Sequence, residues 1–288
     1  RAGDGQVTCA RYPGWLECGA SKPMCDFSTG WLAALMGVVE GITEYLPISS
    51  TGHLLLAEKW LGTSFHESFE VVIQSGAMLA VLVEYRRCFL RLADFRNHEG
   101  FSGFRGLFWL FLTTLPAMVF GLLFHDAIKQ KLFTPPAIAL ALGIGGVLMI
   151  VLERLLPSHD EGGVDAVGWK RALGVGFFQC LAMVPGTSRS MATILGGRLM
   201  GLGRKTAAEY SFFAAVPVLF LAGIFDFCEG LSTMRRSDVM PLAVGLVVSF
   251  LVARLAIRWL MRLISHHTLE AFGWYRIALS LVVWWTLV

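Results

Sequence analysis

Two short polar stretches interrupt otherwise apolar sequence: LPISSTGH at 46–53 and MVPGTSRSMAT at 183–193. The first follows an apolar run that carries Glu40 and Glu44. Four residues apart, these carboxylates share one helix face. A charge at membrane depth costs about 2.5–3.5 kcal/mol, so the pair needs a counter-charge. A divalent cation would supply it, since Mg²⁺ and Ca²⁺ favour carboxylate and phosphate oxygens. The two could equally act as an acid/base pair, snorkel outward or pair with a neighbouring helix. Gly37 and Gly41 lie on the same side and admit a second backbone.

Arg189 lies in the second stretch, between apolar segments. A guanidinium there needs an anion. Glu40 or Glu44 would serve. So would a phosphate, which its planar fork holds through two hydrogen bonds. The neighbours suit a phosphate: Gly186 frees the backbone, Thr187, Ser188 and Ser190 carry hydroxyls, and a helix start follows. Ser49, Ser50, Thr51 and Gly52 repeat the pattern in the first stretch. His53, three residues beyond Ser50, is placed to activate Ser50 or a water, to protonate a leaving phosphate, or simply to pack.

The elements that position these groups are apolar helices. The chain has 288 residues, 55% hydrophobic and 16% charged, with a mean hydropathy of +0.62. Six windows approach the roughly 20 apolar residues a bilayer needs: 69–85, 107–124, 136–152, 208–227, 240–263 and 271–288. Strand alternation is absent, which argues against a membrane barrel. The expected fold is an all-α polytopic membrane protein. A net charge of +3 is too small to suggest nucleic acid. Arg86, Arg87, Arg91, Arg96 and Arg105 in one loop, and Arg154, Lys170 and Arg171 in another, place both loops in the cytoplasm. Lys129, Lys131, Arg235 and Arg236 fall against that rule.

GVVEGITEYLPISS from Gly37 and GFFQCLAMVPGTSRS from Gly176 align as a repeat with one gap. Each runs from an apolar helix through a proline to hydroxyls. About two dozen residues past each proline, Glu70 and Glu209 open a further apolar span. If each break is the tip of a re-entrant hairpin (30–62 and 172–204), the three spans between them (69–88, 107–125, 136–153) put the hairpins on opposite faces. That is the inverted-repeat plan, with repeat 1 near 30–125 and repeat 2 near 172–264 and both tips lining one site. The plainer alternative is six or more spans with ordinary surface turns. Residues 24–288 form one membrane domain on this reading. Residues 1–23 lack an apolar signal core and read as sequence upstream of a start at Met24, or as an arm closed by a Cys9–Cys18 disulfide. The six cysteines show no CxxC spacing, and Cys88, Cys180 and Cys228 read as packing residues.

EGITEYLPISSTGH together with PGTSRSMAT resembles the undecaprenyl-diphosphate phosphatases, the bacitracin-resistance family. The likeness runs over nearly the whole chain from Met24, through FEVVIQSGAMLAVL, FGLLFHDAIK and AAEYSFFAAVP. The glutamate-rich first motif stands as Glu40, Glu44, Pro47, Ser49, Ser50, Gly52 and His53. The second, PGxSRSxxT, stands as Pro185, Gly186, Ser188, Arg189, Ser190 and Thr193. The resemblance implies an inner-membrane phosphatase with its active site toward the periplasm. Its substrate would be an isoprenoid lipid diphosphate, converted to the monophosphate carrier used in peptidoglycan synthesis. Dependence on a divalent cation and bacitracin resistance are implied with it. On that reading Arg189 and the backbone N–H groups of both tips, with Ser188, Gly186, Thr187, Ser190, Thr193, Ser49 and Thr51, hold the phosphates. Glu40 and Glu44 hold Mg²⁺ or Ca²⁺, or one of them is a base. Ser50 is the expected in-line nucleophile with His53 as acid/base, against direct attack by water that Glu44 or His53 activates. Inverted repeats with broken helices also build secondary transporters, so a transporter or flippase of a lipid phosphate or another anion is the competing function. A homodimer is left open.

Overall fold

Continuous apolar runs punctuated by Pro, Gly and Ser clusters favour helices joined by tight breaks. The computed structural model describes residues 27–63, 67–96, 99–156, 162–230 and 239–288. Among these the chain forms eleven α-helices, two short 3₁₀ turns and no strand. Residues 1–23, on which the expected upstream segment or Cys9–Cys18 disulfide falls, and Arg235 and Arg236 lie outside the described residues.

Two helical hairpins carry the polar breaks. The first is α1 (Phe27–Thr43) and α2 (Ser50–Leu61). α3 (Glu67–Glu84) follows, then the short α4 (Arg86–Ala93), α5 (Gly103–Lys131) and α6 (Pro135–Leu155). The second hairpin is α7 (Trp169–Gln179), the 3₁₀ turn Cys180–Met183 and α8 (Arg189–Leu199). α9 (Arg204–Gly230), α10 (Val239–His266) and α11 (Glu270–Leu287) complete the chain. α5, α6 and α10 are each long and apolar enough to cross a bilayer. With α3, α9 and α11 they occupy the six windows read from the sequence, so the molecule is an all-α polytopic membrane protein with two re-entrant hairpins.

One boundary differs from expectation. The span starting near residue 69 does not continue to Cys88; α3 stops at Glu84 and α4 begins at Arg86. Three arginines within six positions would carry their charge into hydrocarbon if the helix ran on, so the chain turns at Tyr85 instead.

The hairpins pack on helices from the opposite half of the chain. α1 lies along α10, and α7 lies along α5. The glycines that align in the repeat make both contacts. A Cβ on Gly37 would sit 2.7 Å from Gly245 O of α10, and one on Gly176 would sit 2.7 Å from Thr113 O of α5. Small residues let membrane helices approach this closely. α3 packs between α10 and α9, and α6 pairs with α11. At one end, Arg198 and Arg204 of the second hairpin region converge on buried Glu153 of α6. Cys88 and Cys180 are free thiols.

Candidate active site where two broken helices meet

Each helix break is built the same way. Ser49 has φ 71° and ψ 103°, and Ser188 has φ 71° and ψ 119°. Each is the N-cap of the helix that follows. Ser49 Oγ accepts from Gly52 N at 3.4 Å, and Ser188 Oγ accepts from Met191 N at 3.3 Å. They are the only non-glycine residues with positive φ among the described residues. Such a conformation costs of order 1–3 kcal/mol and persists only where surrounding contacts enforce it. It also starts α2 and α8 at the break, so the exposed N–H ends of both helices gather there.

The two breaks touch. Ser190 Oγ donates to Leu46 O at 2.8 Å and pairs with Ser188 Oγ at 3.0 Å. Arg189 Nη2 meets Glu44 Oε1 at 3.3 Å, with both side chains almost wholly buried. Its Nη1 donates to Ser211 O at 3.1 Å, and its guanidinium lies 5.7 Å from the centre of the Tyr45 ring. Glu44 Oε2 accepts from Ser50 Oγ at 2.9 Å. Thr193 Oγ1 reaches back to Arg189 O at 2.8 Å and contacts Ser211 Oγ at 2.6 Å, tying α8 to α9. Gly186, at φ 90°, presses against α6: a Cβ would come within 2.5 Å of Ile138 O. Thr187 is buried beside it, while Thr51 sits partly exposed in the first turn of α2.

At this meeting point Glu40, Arg189 and Arg276 each carry buried polar atoms with no hydrogen-bond partner. Neither carboxylate oxygen of Glu40, which is 1% exposed, has a hydrogen bond, and neither has Arg189 Nε. An orphaned buried acceptor costs about 1–3 kcal/mol, and more when charged. An unmet acid and an unmet guanidinium N–H in one place are what a site for a cation and an anion together would leave.

The expected pairing of Ser50 with His53 is not assembled. Ser50 Oγ bonds Glu44 instead. His53 Nδ1 lies 2.7 Å from Ser49 O, and Nε2 lies 2.7 Å from Tyr275 Oη. A carbonyl only accepts, so Nδ1 carries the proton, and a neutral His53 uses Nε2 to accept from Tyr275. The three-residue spacing puts both residues on α2. Ser50, however, is the first helical residue and turns back across the break.

Four participants escaped the sequence reading: Tyr45, Ser211, Tyr275 and Arg276. Arg276 is wholly buried on α11. Its Nη1 donates to Pro47 O at 3.3 Å and its Nη2 to Gly186 O at 3.0 Å and Ala141 O at 3.2 Å. One guanidinium therefore holds the carbonyls of both breaks. A Cβ on Gly145 would lie 2.4 Å from that Nη2, so α6 needs a glycine there to make room. The available signal was an arginine inside the apolar run FGWYRIALSLVV, which a hydrocarbon span tolerates only with partners.

The profile of the family described as bacitracin resistance protein BacA matches residues 33–282. The chain belongs to that family. The matched span contains both helix breaks, most of α1 and α11, and every site residue named above. A protein of Maridesulfovibrio salexigens named undecaprenyl-diphosphatase is 49% identical over 253 residues, covering 87% of this chain and 96% of that protein. Proteins of the same name from Solidesulfovibrio magneticus and Nitrosomonas europaea are 45% and 47% identical, with 87% of this chain covered in each case. They extend over 96% and 92% of those proteins.

Proposed function

We infer that this chain is an undecaprenyl-diphosphatase, a membrane hydrolase that converts undecaprenyl diphosphate to undecaprenyl phosphate and inorganic phosphate. By that reaction it returns the carrier lipid to peptidoglycan synthesis and confers bacitracin resistance. The observation that carries the reading is the junction itself. Arg189, Glu44 and Ser50 form a continuous chain of polar contacts between the two breaks, in relatives' company that bears the enzyme's name.

Phosphoryl transfer is mainly positioning and charge neutralisation. The free Nε of Arg189 and the N-termini of α2 and α8 are suited to bind the diphosphate. Thr187, Ser188, Ser190 and Thr193 shape the α8 side; Ser49 and Thr51 shape the α2 side. Ser50 Oγ attacks the terminal phosphorus while its proton passes to Glu44 Oε2. The bond from that phosphorus to the bridging oxygen breaks, and undecaprenyl phosphate departs. Water then cleaves the phosphoserine and releases phosphate. A phosphate leaving group has a second pKa of about 6 and needs no proton. His53 therefore serves best as a holder of the Ser49 carbonyl and the Tyr275 hydroxyl rather than as the acid.

The donors fit a hard cation. Among the described residues no group of three or more His, Cys, Asp or Glu gathers, so there is no closed protein cage. Glu40, with both oxygens unmet, is the carboxylate that would hold Mg²⁺ or Ca²⁺, while Glu44, one turn away, keeps its oxygens on Arg189 and Ser50 as the base. Substrate phosphate and water would complete the shell, as Mg²⁺ commonly requires. When bound, the ion supplies charge for the phosphate oxygens. We place the protein in the bacterial inner membrane with the junction open toward the periplasm, on the arginine-rich loops at the other end.

The test is phosphate release from a long-chain isoprenyl diphosphate by purified protein in detergent, with and without EDTA. Wild type should turn over and Arg189→Ala should not. A folded wild type that releases no phosphate would leave the transporter reading in its place, to be checked by lipid movement in proteoliposomes.

A further inference from the structure

At the end of the bundle where α3 stops, two cavities flank Tyr85. One, about 470 Å³, is lined by Arg86, Arg87, Arg91, Cys88 and Glu209 among others. The second, about 320 Å³, is lined by Arg258, Arg262, Met261 and Ile257. Glu84 and Tyr85 belong to both. Nothing in the phosphatase reaction uses these residues.

The charges there are unbalanced in a specific way. Arg254, Arg258 and Arg262 recur every four residues along one face of α10. Glu84 is clamped by the first two, with Arg258 Nε at 2.7 Å and Arg254 Nε at 3.5 Å. Arg91 is paired with Asp165 at 2.8 Å. Arg86 and Arg87 on α4 and Arg262 on α10 have no ion-pair partner among the described residues. Three guanidiniums without an ion-pair partner thus border, from two helices, hollows whose acids are Glu84, held by Arg254 and Arg258, and Glu209. Arginine forks match phosphate oxygens.

The surroundings distinguish a lipid from a soluble anion. α4 mixes its arginines with apolar residues that stay exposed: Leu90 is 69% exposed, and Phe95, just past the helix end, is 60% exposed. A short basic amphipathic helix with uncovered apolar side chains is suited to the headgroup plane of a bilayer. By the charge rule this is the cytoplasmic end, facing the leaflet whose anionic lipids attract juxtamembrane arginines.

We propose that the paired cavities around Tyr85 form a binding site for the phosphate headgroup of an anionic phospholipid, with Arg86, Arg87 and Arg262 as its ligands. The site is separate from the hairpin junction and does not depend on the phosphatase reading. The headgroup enters beside α4 while its acyl chains lie along the apolar flank of α3 and α10. Retention of the lipid ties α4 to α10, two elements the chain otherwise joins at this end through Glu84.

The test is lipid retention by the full chain in detergent, read by native mass spectrometry after incubation with phosphatidylglycerol or phosphatidylethanolamine. Wild type should retain phosphatidylglycerol preferentially. The double variant Arg86→Gln/Arg87→Gln should lose that retention by tenfold or more, on the order expected for two interfacial arginines. Arg262→Gln, on a different helix, should weaken it too. Arg105→Gln removes one charge outside both cavities, as Arg262→Gln does within them, and should leave it intact. Equal retention of the two lipids, or unchanged retention in the double and Arg262 variants, overturns the proposal. Displacement of phosphatidylglycerol by millimolar glycerol phosphate would assign the site to a soluble phosphate and overturn the lipid assignment. Phosphate release at saturating substrate should be the same in all these variants, because none of them lies at the junction.

Discussion

Ser49 and Ser188, 139 positions apart in the chain, share φ 71° and cap the two helices that meet at the hairpin junction. The backbone of each is held in a region that side chains avoid, at the same step of an inverted repeat. Strain that recurs at equivalent positions is enforced by the fold on both sides of the junction, and it sets the direction in which Ser50 and Arg189 leave their caps.

Removing the Cβ should therefore separate stability from turnover. Ser188→Gly relieves the φ strain, and glycine loses only a few tenths of a kcal/mol as an N-cap. Its unfolding temperature in detergent should equal or exceed that of wild type. Its kcat should fall about tenfold or more, because Ser190 and the Met191 N–H lose the Ser188 hydroxyl. Ser188→Val should lower the unfolding temperature. A valine variant as stable as the glycine variant would contradict the strain account.

The Glu44–Arg189 contact is a buried ion pair, and breaking such a pair from one side costs about 3–5 kcal/mol. Glu44→Gln and Arg189→Ala should each destabilise the protein strongly, and the double variant should lose less than the two losses combined. A double-mutant cycle by thermal unfolding measures the coupling. In activity, each single change should remove at least about a thousandfold of kcat/KM, with the second change adding little, as happens for groups that act as a unit.

Arg276 offers a positioning test. Methionine in its place leaves the Pro47, Gly186 and Ala141 carbonyls unpaired, at about 1–3 kcal/mol for each buried group. Lysine cannot span the three carbonyls as a fork does. Both variants should raise KM and lower kcat together, since both breaks shift. Full activity in Arg276→Lys would show that charge alone, without bidentate geometry, suffices there.

Glu40 should report on the cation. Glu40→Gln removes the unmet carboxylate, and the concentration of Mg²⁺ or Ca²⁺ giving half-maximal rate should rise by tenfold to a hundredfold. EDTA should silence wild type and the variant alike. An unchanged metal requirement in Glu40→Gln would move the ion away from this carboxylate.

Much of this site was readable in advance because its groups are expensive. Glu44 and Arg189 are 145 residues apart, yet each sits in an apolar run that cannot hold a charge alone, and both flank a proline and hydroxyls. Six apolar windows marked the spans for the same reason. What stayed hidden depends on direction rather than residue type. The i, i+3 spacing of Ser50 and His53 suggested a shared cavity, but a first-turn residue follows its cap, and the cap at φ 71° turns Ser50 toward Glu44. Arg276, Tyr275 and Ser211 belong to no polar cluster in the sequence, and only tertiary packing brings them to the breaks. The apolar window from 69 ends at Tyr85, where the chain turns; only the wider span bound at 88 runs past it into the arginines.

The crossed packing of the hairpins bears on how the molecule is made. α1 finds its close-packed partner in α10, whose residues begin some two hundred positions later. A chain emerging from the ribosome must hold its first hairpin, with Glu40 and Glu44 inside, for most of its synthesis before that seat exists. A fragment ending after α6 would lack it altogether, and one beginning at α7 would lack the α5 surface that its own hairpin needs. Biogenesis is therefore all-or-nothing: membrane insertion can proceed helix by helix, but the finished junction waits for the last third of the polypeptide.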